Sequence, residues 1–215
     1  MQIHVLFFIA FLNLVRMNRA DDYGWGECPK VNPVSNFDFN KFSGLWYVIQ
    51  KFDLSSPCWT YYFVNQNGIR KVIQNQNQTI NEREPEKTPG NIGTLEIVNA
   101  TQPGFMSVRF SDNILGKADY TVYFTDYENY GAIFRCQKVL FGHRRSATIL
   151  SRQPYLTPSL RNQARAKLIS FDIDISSFKS VDPIFCKNPR GPAGETFPDE
   201  TTRRNGFGQR TEQRT

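Results

Sequence analysis

The 215-residue chain is short of histidine and of acid, with 2 His and 20 Asp plus Glu against 26 Lys plus Arg. His4 falls in the first twenty residues, which leaves His143 beside Arg144 and Arg145. A single His flanked by cations is badly placed to act as general base to a nucleophile, and it reads as a surface-loop residue. No His-Glu-x-x-His, no Gly-x-Ser-x-Gly and no phosphate-cradling glycine loop occurs, so the usual zinc-protease, hydrolase and nucleotide signatures are missing. Asp172 and Asp174 come nearest to a paired carboxylate, and a solvated connection accounts for them without acid/base or calcium chemistry. Enzymatic activity, a cofactor and a metal are therefore not expected.

Long apolar runs are also scarce. Ile3 to Val15 is the exception, too short to cross a bilayer as a helix but suited to the apolar part of a secretory signal. Residues 1–20 are read as that signal peptide, although no Lys or Arg precedes the run and Asn18 lies three residues before the expected cut. A polytopic membrane protein is excluded. Removal of Arg16 and Arg19 leaves 24 basic against 20 acidic residues, a surplus too modest for a nucleic-acid binder.

No Cys-x-x-Cys spacing exists among Cys28, Cys58, Cys136 and Cys186. An even count in an exported chain implies two disulfides rather than zinc ligands, with three pairings open. Two glycosylation acceptors, Asn77-Gln78-Thr79 and Asn99-Ala100-Thr101, agree with a secreted, extracellular location.

After Cys28 the chain alternates turn residues with runs rich in Tyr, Phe, Val, Ile and Thr, the pattern of an antiparallel all-β domain. Eight strands in series are expected: 44–52, 59–64, 69–74, 92–98, 105–111, 120–125, 131–139 and 145–151. Asn67-Gly68 suits a two-residue hairpin turn, and Met106, Val108 and Phe110 alternate with Ser107, Arg109 and Ser111 as on a half-buried strand. One helix interrupts the pattern: Thr157 can cap it, Pro158 suits its first position, and Leu160, Ala164, Leu168 and Phe171 recur at helical spacing. Residues 21–186 form the expected domain. Residues 187–215, rich in Gly and Pro with six basic and four acidic side chains, read as a flexible, slightly basic tail.

Short motifs give this outline a family. Asn36 to Tyr47 (NFDFNKFSGLWY) is a helical turn leading into a strand that opens with Gly44, Leu45 and Trp46; Thr125, Asp126 and Tyr127 follow at a later strand end, and Arg152 comes after the last strand. This ordered set, with TDYENYG over 125–131 and Cys28-Pro29, resembles the lipocalins, in particular the branch of apolipoprotein D and its insect relatives. The resemblance covers about residues 28–186. It implies an eight-stranded up-and-down barrel around one ligand cavity, with a helix packed outside. It also implies that Arg152 lies over Trp46 at the closed end, with Gly44, Thr125, Asp126 and Tyr127 completing that base, and that Cys28 pairs with Cys136 and Cys58 with Cys186.

Strand alternation together with the family register places Val48, Tyr61, Phe63, Val72, Gln74, Val108, Phe110, Thr121, Tyr123, Thr148 and Leu150 inward. A one-residue slip reverses any strand. This set suits a fatty acid, sterol or similar lipid whose polar group finds a partner inside. Two other readings stand beside the carrier: a bilin-binding relative, and a secreted interaction module whose exposed aromatics or tail touch a receptor or a lipid surface.

Overall fold

The computed structural model describes residues 22–52, 58–77 and 90–181. The expected signal peptide, the tail 187–215 and Cys186 lie outside these residues. Their elements run β1 (Asp22–Trp25), α1 (Phe39–Phe42), β2 (Gly44–Lys51), β3 (Cys58–Gln66), β4 (Ile69–Asn77), β5 (Asn91–Ile97), β6 (Phe105–Phe110), β7 (Ala118–Thr125), β8 (Tyr130–Val139), β9 (Gly142–Ser151), α2 (Pro158–Ile169) and β10 (Lys179–Ser180). Each expected strand is present, with ends that differ by at most three residues.

Strands β2 to β9 pair with their chain neighbours, all antiparallel, and β9 returns to pair with β2. The eight-stranded sheet thus closes on itself and leaves no open edge within the barrel. Asn67 and Gly68, at φ 53° and 83°, make the tight β3–β4 hairpin with both central residues in the left-handed region. Two short strands were not visible in the sequence. β1 pairs with Gly142–Arg145 of β9, and β10 with Gln50 and Lys51 of β2.

The sequence reading of His143 as a surface-loop residue is corrected. It lies in β9 opposite Gly24 of β1, is buried, and its Nδ1 stands 3.3 Å from the Gly26 carbonyl oxygen. A Cβ built on Gly24 falls 2.4 Å from the imidazole. Only glycine lets β1 lie this close, and the ring fills the space left by the missing side chain.

Two apolar clusters follow from the alternation. One fills the barrel and includes Trp46, Val48, Tyr61, Phe63, Val72, Val108, Phe110, Tyr120, Val122 and Leu150. The other lies outside, where Ala164 and Leu168 of α2 meet Phe134, Ala147 and Ile149. Thr157 caps α2 by accepting from the Leu160 N–H, and Pro158 occupies the first turn, as the sequence suggests. Leu160 and Phe171 contribute less than expected: the helix ends at Ile169, and its buried residues are Ala164 and Leu168. The Cys28–Cys136 disulfide closes a span of 108 residues and holds the N-terminal segment against β8.

Leu168 is fully buried beneath α2. Leu168→Ala is expected to lower the unfolding free energy by about 2–5 kcal/mol in urea titrations, because the rigid outer wall of the sheet cannot collapse into the space.

Candidate functional site

The closed end is built around Trp46, which has no exposed surface. Asp38 caps α1 by accepting from the Asn40 and Lys41 N–H groups, so Phe39 and Phe42 turn inward. The Phe42 ring stacks on Trp46 at 4.8 Å, and the indole N–H donates to the Phe42 carbonyl at 2.8 Å. The Arg152 guanidinium covers the same indole at 3.7 Å. Its Nη1 donates to the Leu45 carbonyl at 2.9 Å, its Nη2 to the Ser43 and Lys41 carbonyls at 2.9 and 3.1 Å, and its Nε to the Tyr127 carbonyl at 3.1 Å. Burial pushes Arg152 down to about 10, against the pull of Asp126; it remains a cation at neutral pH. Gly44 has φ +102°, and an added Cβ there would lie 3.2 Å from Arg152 Nη1. The guanidinium can reach the Ser43 and Leu45 carbonyls because no side chain stands between them.

The Thr125-Asp126-Tyr127 turn is the other half of this base. Thr125 Oγ1 donates to the Tyr130 carbonyl and accepts from the Tyr127 N–H, while Asp126 accepts from the N–H groups of Glu128, Asn129 and Tyr130. Tyr127, at φ 70°, accepts from the Asp38 N–H through its hydroxyl, so the turn is tied to the cap of α1. Burial works to raise the Asp126 carboxyl. The Asn129 amide and the backbone donors of Tyr130, Asn129 and Glu128 outweigh it and hold the group below its usual range.

Toward the opposite end, Lys51, Tyr61, Gln74, Tyr120, Ile133, Arg135, Ser146 and Thr148 surround a small cavity of about 20 Å³, room for a single water. These side chains come from six strands through direct cross-strand pairs: Lys51 with Thr148, Thr148 with Ile133, Tyr120 with Arg135, Arg135 with Ser146, and Tyr61 with Gln74. Lys51 lies over the Trp59 ring at 4.8 Å, and Arg135 over the Phe110 ring at 5.7 Å. The Tyr120 hydroxyl is buried with no hydrogen-bond partner. Burial raises it well above the ordinary phenol range, Tyr61 adds to that and Arg135 opposes it, so it stays a neutral donor.

Most of the side chains expected to face inward do so. Val48, Tyr61, Phe63, Val72, Val108, Phe110 and Leu150 belong to the inner cluster, and Gln74 and Thr148 line the cavity. Thr121 and Tyr123 are corrections. Thr121 pairs with Phe134, an outer-cluster residue, and Tyr123 itself lies in the outer cluster. The register of β7 against β8 shifts between Val122 and Phe124. A bulge of this kind inverts the alternation on one side of it, and the inward residues are Ala118, Tyr120 and Val122. Tyr123 lines instead an outer recess of about 230 Å³ with Val34, Phe124, Lys167 and Phe171.

Lys51, Tyr120, Ile133, Arg135 and Ser146 escaped the sequence reading. For Lys51 the reason is a second bulge, between Val48 and Gln50, which turns Gln50 outward toward Ser180 and brings Lys51 opposite Thr148. The Cys58 sulfur is disulfide-bonded, and its expected partner Cys186 lies outside the described residues. Asn99 is exposed in a turn, its Oδ1 accepting from the N–H and hydroxyl of Thr101. Asn77 ends β4, and its side chain lies outside the described set. Among the described residues no group of three or more potential ligands that could hold a metal is found.

Arg152→Ala is expected to cost about 2–4 kcal/mol of stability, from the lost stacking on Trp46 and the stranded carbonyls. Arg152→Lys recovers less than half of it, because an ammonium lacks the planar fork that reaches four carbonyls at once. For Asp126 the folded value lies below the unfolded one, so its stabilisation is present above about pH 4 and fades as the pH falls through that value. The stability difference between wild type and Asp126→Ala should therefore be constant from pH 5 to 7 and shrink toward pH 3.

No family model matches the chain. Its sequence is 32% identical to apolipoprotein D of Bos taurus over 169 residues, covering 75% of this chain and 85% of that protein. Apolipoprotein D of Cavia porcellus is 30% identical over 181 residues, 80% and 91% of the two chains. Insecticyanin-A of Manduca sexta is 27% identical over 167 residues, 73% and 86%. Among solved structures, insecticyanin from the tobacco hornworm superposes with a TM-score of 0.59 at 25% identity, over 75% of this chain and 89% of the other. Lobster apocrustacyanin A1, at TM-score 0.57 and 16% identity over 77% and 92%, shares the fold. An eight-stranded barrel whose base carries Gly44-x-Trp46, Thr125-Asp126-Tyr127 and Arg152 in contact, on a sequence this similar to apolipoprotein D, belongs to the lipocalin family.

Proposed function

We propose that this chain is a secreted carrier that takes one small hydrophobic molecule, a fatty acid, sterol or similar lipid, into its barrel. The observation that carries the reading is the polarity of the interior. One end is sealed by Phe42, Trp46 and Arg152, the middle is aromatic and aliphatic, and the polar groups gather toward the other end. This matches an amphiphile lying along the barrel axis, its apolar part leaving water at about 25 cal/mol per Å². The work is binding and release, with no turnover.

At about 20 Å³ the cavity is far smaller than such a ligand. Entry therefore requires aromatic side chains, Tyr61 and Tyr120 foremost among them, to rotate from the places they now fill. Tyrosine suits that role, because two side-chain torsions swing a large ring without moving the strand. Export as residues 21–215, a disulfide between Cys58 and Cys186, and glycans at Asn77 and Asn99 complete the proposal.

Native mass spectrometry of the secreted protein, with solvent extraction and a visible spectrum of the same sample, tests it. A stoichiometric colourless lipid supports the lipid carrier, and a visible absorption band replaces the lipid with a bilin. A barrel that arrives empty and refuses apolar fluorescent probes overturns the carrier reading and favours the interaction module. The same intact mass reads signal removal and glycan occupancy.

A further inference from the structure

We infer that the recess outside the barrel, between residues 32–35, β7 and the end of α2, is a second binding site, and that it takes a small planar aromatic molecule bearing an anionic oxygen group. The site is separate from the barrel, so a barrel that carries nothing leaves the inference standing. At about 230 Å³ the recess is open as it stands, whereas the interior cavity of about 20 Å³ must rearrange to admit a ligand. The rings of Tyr123, Phe124 and Phe171 line it with Pro33 and Val34, and Lys167 is the one charged side chain among the described residues that do so.

The backbone builds the three walls. The β7 bulge between Val122 and Phe124 turns two consecutive rings outward where a regular strand presents one. The Val34 N–H donates to the Val122 carbonyl at 2.9 Å, which lays residues 32–35 along the bulge. The Cys28–Cys136 disulfide anchors the chain just before that segment. On the third side, buried Leu168 holds α2 to the sheet, and the Phe171 N–H donates to the Leu168 carbonyl at 2.9 Å, which keeps Phe171 at the helix end. Each wall is held by contacts of its own, so the recess is formed before any ligand arrives.

The chemistry of the lining selects the ligand. Lys167 is exposed, lies 5.8 Å over the Phe171 ring and makes no ion pair among the described residues. A cation thus stands beside an aromatic surface with no carboxylate against it. Tyr123 is 2% exposed, and its hydroxyl is buried with no hydrogen-bond partner. Burial raises this phenol above its ordinary range, so it stays a neutral donor. One planar anion answers all three features: its rings pack on those of Tyr123, Phe124 and Phe171, its charge faces Lys167, and an oxygen of it accepts from the Tyr123 hydroxyl. A neutral lipid leaves Lys167 unmatched.

The test titrates the full-length secreted protein, isotope-labelled for amide NMR, with 2-naphthoate and separately with methyl 2-naphthoate at about pH 7.5, where the acid is ionised. Saturable shifts are expected at the amides of Val34, Ser35, Phe124 and Phe171 with a Kd below about 1 mM, and they persist when excess oleate is present. The acid should bind there about three- to tenfold more tightly than the ester. Lys167→Gln should remove that difference and leave the ester's affinity unchanged. Tyr123→Phe should weaken the acid about threefold or more, while urea titration shows no loss of stability, since the hydroxyl has no partner in the protein to lose. Shifts confined to barrel residues such as Val72 and Val108, shifts abolished by oleate, no shifts up to about 2 mM, or equal affinity for acid and ester overturn the inference. Because the acid and ester are first compared on wild-type protein, a variant that fails to fold does not decide the matter.

Discussion

The stack of Phe42, Trp46 and Arg152 is the contact on which the barrel depends. A sheet that closes on itself must join its last strand to its first, and Arg152 follows β9 while Trp46 lies in β2. The guanidinium bridges that junction twice, by its face on the indole and by its edges on carbonyls of residues 41, 43, 45 and 127. Desolvating a cation costs energy, and the downward push on Arg152 records it. Four backbone acceptors and an aromatic face offset that cost, which explains why a charge can lie at the base of an apolar core. Tyr127 then carries the link onward through its hydroxyl to the cap of α1. One side chain thereby couples the plug, the closing strands and the turn beneath them.

With that end fixed, the chemistry of the interior is decided by which side chains each strand turns inward, and two bulges control this. In β7 the extra residue sends Tyr123 and Phe124 outward together, so a large ring packs under α2 instead of narrowing the barrel. In β2 the extra residue does the reverse, rotating a lysine into the barrel toward the end opposite Trp46. Each bulge moves a whole run of side chains across the sheet at the cost of about one ladder position. Neither leaves a mark in residue type: Ile49 and Tyr123 are good strand formers wherever they sit.

This explains what was legible in the sequence. The strands were, since Asn67-Gly68 and the alternation of Met106, Val108 and Phe110 are local signals that tertiary packing reinforced. So was the helix start at Thr157, whereas the arrangement of the base motifs came from family resemblance. The Cys28–Cys136 pairing came from family resemblance, not from any local signal. Thr121 and Tyr123 were misplaced because phase is a property of the whole strand, lost at one unpaired residue. His143 was misjudged because its flanking arginines suggest solvent, whereas the cover comes from Gly24, more than a hundred residues away. Short strands such as β10 owe their existence to the partner they lie against, and two residues cannot announce that.

The interior holds charge at both ends, and the contrast between them separates structure from function. At the base, four of the five N–H donors of Arg152 are met by carbonyls of the protein itself. Toward the other end, Arg135 lies on a ring, its cross-strand neighbour Tyr120 holds a buried hydroxyl without a partner, and no acid lines the cavity they share. A fold selected only for rigidity gains nothing from such a row, since apolar side chains of similar volume fill a barrel at less cost. Of that row only the Tyr120 hydroxyl is unmatched, so the two ends differ by one enclosed donor that the protein's own acceptors leave unsatisfied.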